Sequence, residues 1–416
     1  MGRIATSWVC AAIVTLVLAV CLCSFARAQS DDLAALNKRV SELYNAGKYG
    51  EAIPLAERSL SLTRAQKGQD QLDTANRMSW LALLYWSQGR YVEAEPLMKR
   101  SLALREKALG PDHPDVGTSL NNLALLYDSQ GRYVEAEPLF KRSLGIREKA
   151  LGPGHPDVGQ SLNNLAALYQ YQGRYAEAEP LYKRSLALRE KALGPDHPNV
   201  GTSLNNLAAL YLVQRDWARA ADTWRRSTAL TVRRAQQGTV IAGAPSGKRK
   251  SEADQLGHRF SGLVKVLHRL ASEQRGSVAA LSRETFATAQ WAQGSEAASS
   301  LAQMAARGAK GNPGLASIVR DRQDLVVEWQ KRDGARTTAV SLAPDKRDAK
   351  AEAANMTRLT EIDTRIAAID TRLKAEFPDY AALASPEPLT VEQVQADLRP
   401  DEALVLFLDT SELKMT

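Results

Sequence analysis

Tyr85, Tyr127, Tyr169 and Tyr211 follow one another at intervals of 42 residues. Gly89, Gly131 and Gly173 keep the same step, as do Ala94, Ala136, Ala178 and Ala220. A fixed period of this size marks a stacked array, because each period holds one unit that buries its apolar faces only against its neighbours. Within one period, Leu120, Leu123, Ala124 and Tyr127 fall at i, i+3, i+4 and i+7, which is one face of a helix. Gly131 then breaks that helix. Tyr133, Ala136, Phe140 and Leu144 give a second apolar stripe, with Pro138 near its start, where a missing N–H costs little. Gly152-Pro153 ends the second helix, and Pro156-Asp157 opens the next. The spacing therefore predicts one helical hairpin per period.

The phrase KALGPDHPDVGTSLNNLA begins at Lys107, and near copies begin at Lys149 and Lys191. Each places one histidine, His113, His155 or His197, in the joint between hairpins. Equivalent joints of a stack lie a repeat apart, and no second histidine stands at ligand spacing, so the expected role is in the loop or as a cap rather than on a metal. No cofactor is expected. The asparagine pairs Asn121 and Asn122, Asn163 and Asn164, and Asn205 and Asn206 lie off the buried stripe of the first helix. The Lys-Arg pairs (Lys99-Arg100, Lys141-Arg142, Lys183-Arg184) and the Arg-Glu-Lys triplets lie on second helices and read as a solvated outer face.

The pattern L-x-x-L-A-x-x-Y followed by A-x-x-x-F resembles the tetratricopeptide repeat, with leucine in place of the usual tryptophan and alanine in place of glycine. The usual period is about 34 residues, and here about eight more are spent on the GPDHPD joint. That longer form, with LNNLA and LGPDHP, is similar to the repeats of kinesin light chain. The resemblance covers residues 77–238, and a degenerate N-terminal repeat precedes it in residues 29–76, where Leu43, Gly47, Tyr49 and Ala52 keep register. It implies a concave groove lined by the first helices, in which asparagines bond the backbone of an extended peptide or partner protein. An asparagine ladder tying neighbouring units together is the other reading, and both stay open at this point. Asn122, Asn164 and Asn206 are the better groove candidates.

The N-terminus combines Arg3, the apolar run VCAAIVTLVLAVCLCSF and Ala26-Arg27-Ala28. This reads as a signal peptide over residues 1–28, cleaved after Ala28, so the protein is expected to be exported to a periplasmic or extracellular space. An uncleaved anchor is the rival reading, since the run is almost long enough to span a bilayer. All three cysteines, Cys10, Cys21 and Cys23, lie in that segment. The remainder has no disulfide, thiolate metal site or cysteine nucleophile. Removing the segment takes Arg3 and Arg27 with it and lowers the formal charge from +7 to +5. No basic block with interleaved aromatics is present, so nucleic acid is not an expected partner, and no membrane contact is expected beyond the signal.

Residues 239–256 read as a linker. In it, Gly243 to Lys248 resembles a phosphate loop, but its glycines are one residue too close and Arg249 stands where Ser or Thr would be needed. A helical region is expected over 257–384, with Phe286 and Trp291 as core. Leu359, Ile362, Ile366, Ile369 and Leu373 step 3, 4, 3, 4, a coiled-coil seam. With Ile318, Leu325 and Trp329 on the preceding helix and a loop around Pro344, an antiparallel hairpin is expected. Beyond 385 the character changes. Thr390 with Gln393 makes a capping box, and Ala403 to Leu408 reads as an apolar strand. Together with the segment TAQWAQGSEAASSLAQMAARGAKGNPGLASIVRDRQDLVVEWQ, this resembles the entry to the caspase-like CHAT domain over about residues 280–412. That family's histidine and cysteine follow later strands. The chain stops before either, so 385–416 reads as the start of a truncated domain and no residue inherits a catalytic role.

The expected fold is all-α: a tetratricopeptide-type solenoid, a helical region with a coiled-coil-like hairpin, and one C-terminal strand of an incomplete α/β domain. The expected function is an exported, non-enzymatic interaction scaffold. The alternatives are a fragment of a CHAT-type cysteine peptidase and a structural adaptor that self-associates through the 352–376 helix.

Overall fold

Short first helices alternate with longer second helices through the computed structural model, which describes residues 33–236, 247–273, 276–293, 311–384, 388–399 and 401–404. The signal segment, the glycine-rich start of the phosphate-loop look-alike and residues 405–408 of the expected strand lie outside these. The chain divides after Arg132 into two compact units.

The first unit contains α1 (33–45), α2 (Tyr49–Lys67), α3 (Leu72–Ser87), α4 (Tyr91–Leu109) and α5 (Pro114–Ser129). The degenerate N-terminal segment forms a full hairpin. Leu36, Val40 and Leu43 of α1 and Ala52, Ile53, Ala56 and Leu60 of α2 are buried. Ser59 Oγ donates to Asn37 Oδ1 at 2.6 Å across the pair.

The second unit contains α6 (Tyr133–Leu151), α7 (Pro156–Tyr171), α8 (Tyr175–Leu193), α9 (Pro198–Val213), α10 (Trp217–Gln236), α11 (Gly247–Ser272), α12 (Val278–Gln293), α13 (Pro313–Val340), α14 (Ala349–Glu376), α15 (Pro378–Ala384) and α16 (Val391–Asp397). Helix α11 begins at Gly247, so part of the segment expected to be linker is helical. α11 and α12 pair and pack onto α10, continuing the stack beyond the periodic sequence. Trp291 of α12 stacks on Phe260 of α11 at 6.3 Å, but Trp291 and Phe286 are half-buried rather than in the core, as had been expected of them.

Each repeat hairpin from α1–α2 to α9–α10 turns on one residue with left-handed backbone. Gly47, Gly89, Gly131 and Gly173 hold φ between 71° and 74°. Arg215 takes that position in the last periodic turn at φ 59°, where its Cβ costs about 1–2 kcal/mol that a glycine avoids. Serines then close the helices on each other: Ser101 Oγ donates to Ala75 O and Ser185 Oγ to Gly159 O, at 2.8 and 2.6 Å.

α13 and α14 form the expected antiparallel hairpin. Leu325, Val326 and Trp329 pack with Leu359, Ile362 and Ile366, and Leu315, Ile318 and Val319 pack with Leu373. The apolar seam that suggested self-association is thus filled from within the chain. The Thr390–Gln393 capping box is present at α16. Gln290 of α12 receives the N–H of Leu389 and donates to its carbonyl, both at 2.9 Å.

Candidate functional site

Three periodic features decorate the hairpins. The first is the joint. Proline at the first position of α5, α7 and α9 starts each helix with φ already suitable. The preceding histidine then caps it. Nδ1 of His113, His155 and His197 accepts the backbone N–H of Asp115, Asp157 and Asn199 at 3.1–3.2 Å. The capping role expected for these histidines is the one observed. Among the described residues no cluster of three His, Cys, Asp or Glu is placed to hold a metal ion.

The second feature joins a second helix to the first helix of the next hairpin. Glu137 of α6 accepts from Tyr169 Oη at 3.1 Å, from Arg174 at 2.8 Å, and pairs with Lys141 at 2.7 Å. Arg174 also lies over the Tyr169 ring, 4.0 Å from its centroid. Burial acts against the Glu137 carboxylate, but the hydrogen bonds from Lys141, Arg174 and Tyr169 outweigh it and hold the group down at about 2. Glu95 repeats the arrangement with Lys99, Tyr127 and Arg132 in the first unit, and Glu179 with Lys183, Tyr211 and Arg219 in the second. Sequence reasoning passed over these clusters, although Glu95, Glu137 and Glu179 keep the 42-residue step.

The arginine of each Arg-Glu-Lys triplet corrects another expectation. Arg147 and Arg189 are buried, not solvated. Arg147 donates to Ser161 Oγ and Asp157 O, and Arg189 to Ser203 Oγ and Asn199 O, at 2.9–3.2 Å. Their long stems cross to the next first helix and satisfy groups in its opening turn.

The third feature is the asparagine face. Asn122, Asn163, Asn164, Asn205 and Asn206 are half-buried, whereas Asn121 is 3 % exposed. Asn121 therefore departs from its counterparts Asn163 and Asn205 and does not lie off the buried stripe as expected. In the second unit, Asn206 Nδ2 donates to Asn163 Oδ1 at 2.9 Å, linking α9 to α7. Trp224 Nε1 donates to Asn205 Oδ1 at 3.0 Å within one hairpin. The Asn206–Asn163 bond is a contact of the kind the ladder reading requires. The α7 and α9 faces carry Gln160, Asn164, Ala167, Thr202, Asn206 and Ala209, none of them charged. No helix among the described residues is long and apolar enough to cross a membrane.

A comparison with curated proteins finds no match. Among solved structures, the nearly identical TPR-like repeats of a Podospora anserina protein titled as a kinesin light chain align at 26 % identity. That alignment covers 48 % of this chain and 95 % of that one, with a TM-score of 0.43. BtubC (BKLC) from P. vanneervenii aligns at 23 % identity over 57 % of this chain and 82 % of that one, with a TM-score of 0.41. The tetratricopeptide repeat family model matches residues 73–149, 129–191 and 157–231. Residues 73–231 of this chain are thus similar to tetratricopeptide repeats.

Proposed function

We propose that this protein is an interaction scaffold that holds an extended peptide, or an extended segment of a partner protein, against the face formed by its first helices. The observation that carries this reading is a half-exposed side-chain amide kept at one register of the first helices: Asn164 and Asn206 in the second unit and, taken by itself, Asn122 in the first. An amide offers a donor and an acceptor together, the pair an extended backbone needs. The uncharged α7 and α9 faces favour a segment without charge at the centre of the contact. A peptide selected from a random library on the unmodified protein supplies the probe. Replacing the three asparagines with alanine is expected to weaken that peptide several-fold at least, at about 1 kcal/mol for each net bond lost, while helicity stays nearly intact.

The Asn206–Asn163 bond favours a second reading, in which the amides tie neighbouring repeats. Under it, the same triple variant melts at a markedly lower temperature with affinity unchanged.

The scaffold is proposed to be exported, from the Ala26-Arg27-Ala28 motif. Protein from the native host should begin at Gln29 on N-terminal sequencing, and a chain beginning at Met1 and found in the cytosol overturns export. The resemblance over 280–412 supports the reading of that segment as the entry to a CHAT domain. Residues 280–416 contain neither histidine nor cysteine, so no peptidase activity is assigned to them.

A further inference from the structure

The joints meet a second structural element within the second unit. His155 and His197 spend Nδ1 on their helix caps, so a neutral ring carries its proton on Nε2. Nε2 of His155 lies 3.2 Å from Leu342 O, just past the end of α13. Nε2 of His197 lies 3.1 Å from Thr337 Oγ1 on α13, whose own hydroxyl donates to Asp333 O. Arg234 at the end of α10 adds a contact, 3.9 Å from Asp333 and 5.2 Å from the Trp329 ring. Arg336, paired with Asp333, lies against Gly194 of the last joint. Two joints one repeat apart thus bond the same hairpin, one on α13 and one just past its end, through the same ring nitrogen.

We propose that the α13–α14 hairpin is a releasable latch on the joint edge of the repeats, seated on His155 and His197 and released when His197 takes up a proton. A second proton has only Nδ1 to occupy, and there it faces a backbone N–H, donor against donor. Protonating His197 therefore removes the cap of α9 and places a cation in a buried seat. The charged groups facing it are Asp333 and Arg336 from α13, Arg234 from α10 and Arg189 from α8. Burial pushes the ring down to about 4. Asp333 opposes that shift, and the three arginines add to it. A free imidazole titrates near 6.5. The latched state thus holds fewer protons than the released one between these values. Its stability is complete above about pH 6.5 and is lost progressively as the pH falls toward 4.

Hydrogen exchange on the full chain, corrected for intrinsic rates, tests this. The opening equilibrium of residues 329–342 is expected to rise several-fold from pH 7.5 to pH 5. Helices α3 and α4 of the first unit should change little. His197→Asn keeps a capping side chain that does not titrate, and should flatten the pH response. Thr337→Val leaves the joint intact and should loosen 329–342 several-fold at pH 7.5. The latch is overturned if 329–342 ignores pH, if H197N keeps the full response, or if every helix opens by the same factor. Should H197N misfold, a T337V hairpin as tight as the unmodified one overturns the seat.

Discussion

Phe140→Ala is expected to reduce the local stability of α6, α7 and α8 by about 3–5 kcal/mol. The ring lies on α6 and is 1 % exposed, and its removal leaves a cavity in the packed core. Units of an array contact only their neighbours, so the loss should fade along the stack. Hydrogen exchange should show the largest change in 133–193 and a smaller one in α11 and α12. Leu342 bonds the His155 joint at the start of α7, so the segment around it should lose protection before α12 does. An equal loss in α7 and α12 contradicts nearest-neighbour coupling.

Trp224→Ala is expected to cost a similar 3–5 kcal/mol at the other end of the stack. Trp224 is 1 % exposed on α10, donates to Asn205 of α9, and faces Gly262 of α11. A Cβ at Gly262 would stand 2.7 Å from the indole ring, so Gly262→Ala should itself cost about 1–3 kcal/mol through overpacking. The two sites share one volume. In a Trp224→Leu background, where the indole is gone, Gly262→Ala should therefore be much less damaging than in the unmodified protein. A double-mutant cycle from thermal or denaturant unfolding of α10–α12 measures the difference. Additive costs would show that α11 does not close on Trp224.

How far the architecture could be read in advance differs with the kind of contact. Leu120, Leu123, Ala124 and Tyr127 announced their helix because burial of one face is written locally, at helical spacing. The turn glycines and the His-Pro joints were equally local. Arg147 and Arg189 were misread because a charged letter on a polar face says nothing of where its guanidinium lands. The hydroxyl acceptors, Ser161 and Ser203, lie 14 residues further on in another helix. The asparagine pairs were placed on the right helices, but which amide meets which was beyond reach. Asn206 reaches back to Asn163 rather than to Asn164, its counterpart one period earlier, and Asn121 is covered. The seating of α13 had no local signature, since one of its acceptors is a backbone carbonyl, which every residue possesses.

The strained Arg215 turn carries a lesson about register. Aligned letter by letter, Arg174 pairs with Asp216, and the cation over the tyrosine would be scored as missing from the last periodic hairpin. In space the place is filled. Arg219, nearly a full helical turn later, stands 4.4 Å from the Tyr211 ring centroid and bonds Glu179 at 2.8 Å, while Asp216 holds it from below. The contact has been handed from the turn to the helix that follows. A search for this tyrosine–cation pairing in other arrays should therefore accept donors displaced by about one turn of helix, or it will mistake a relocated partner for a lost one.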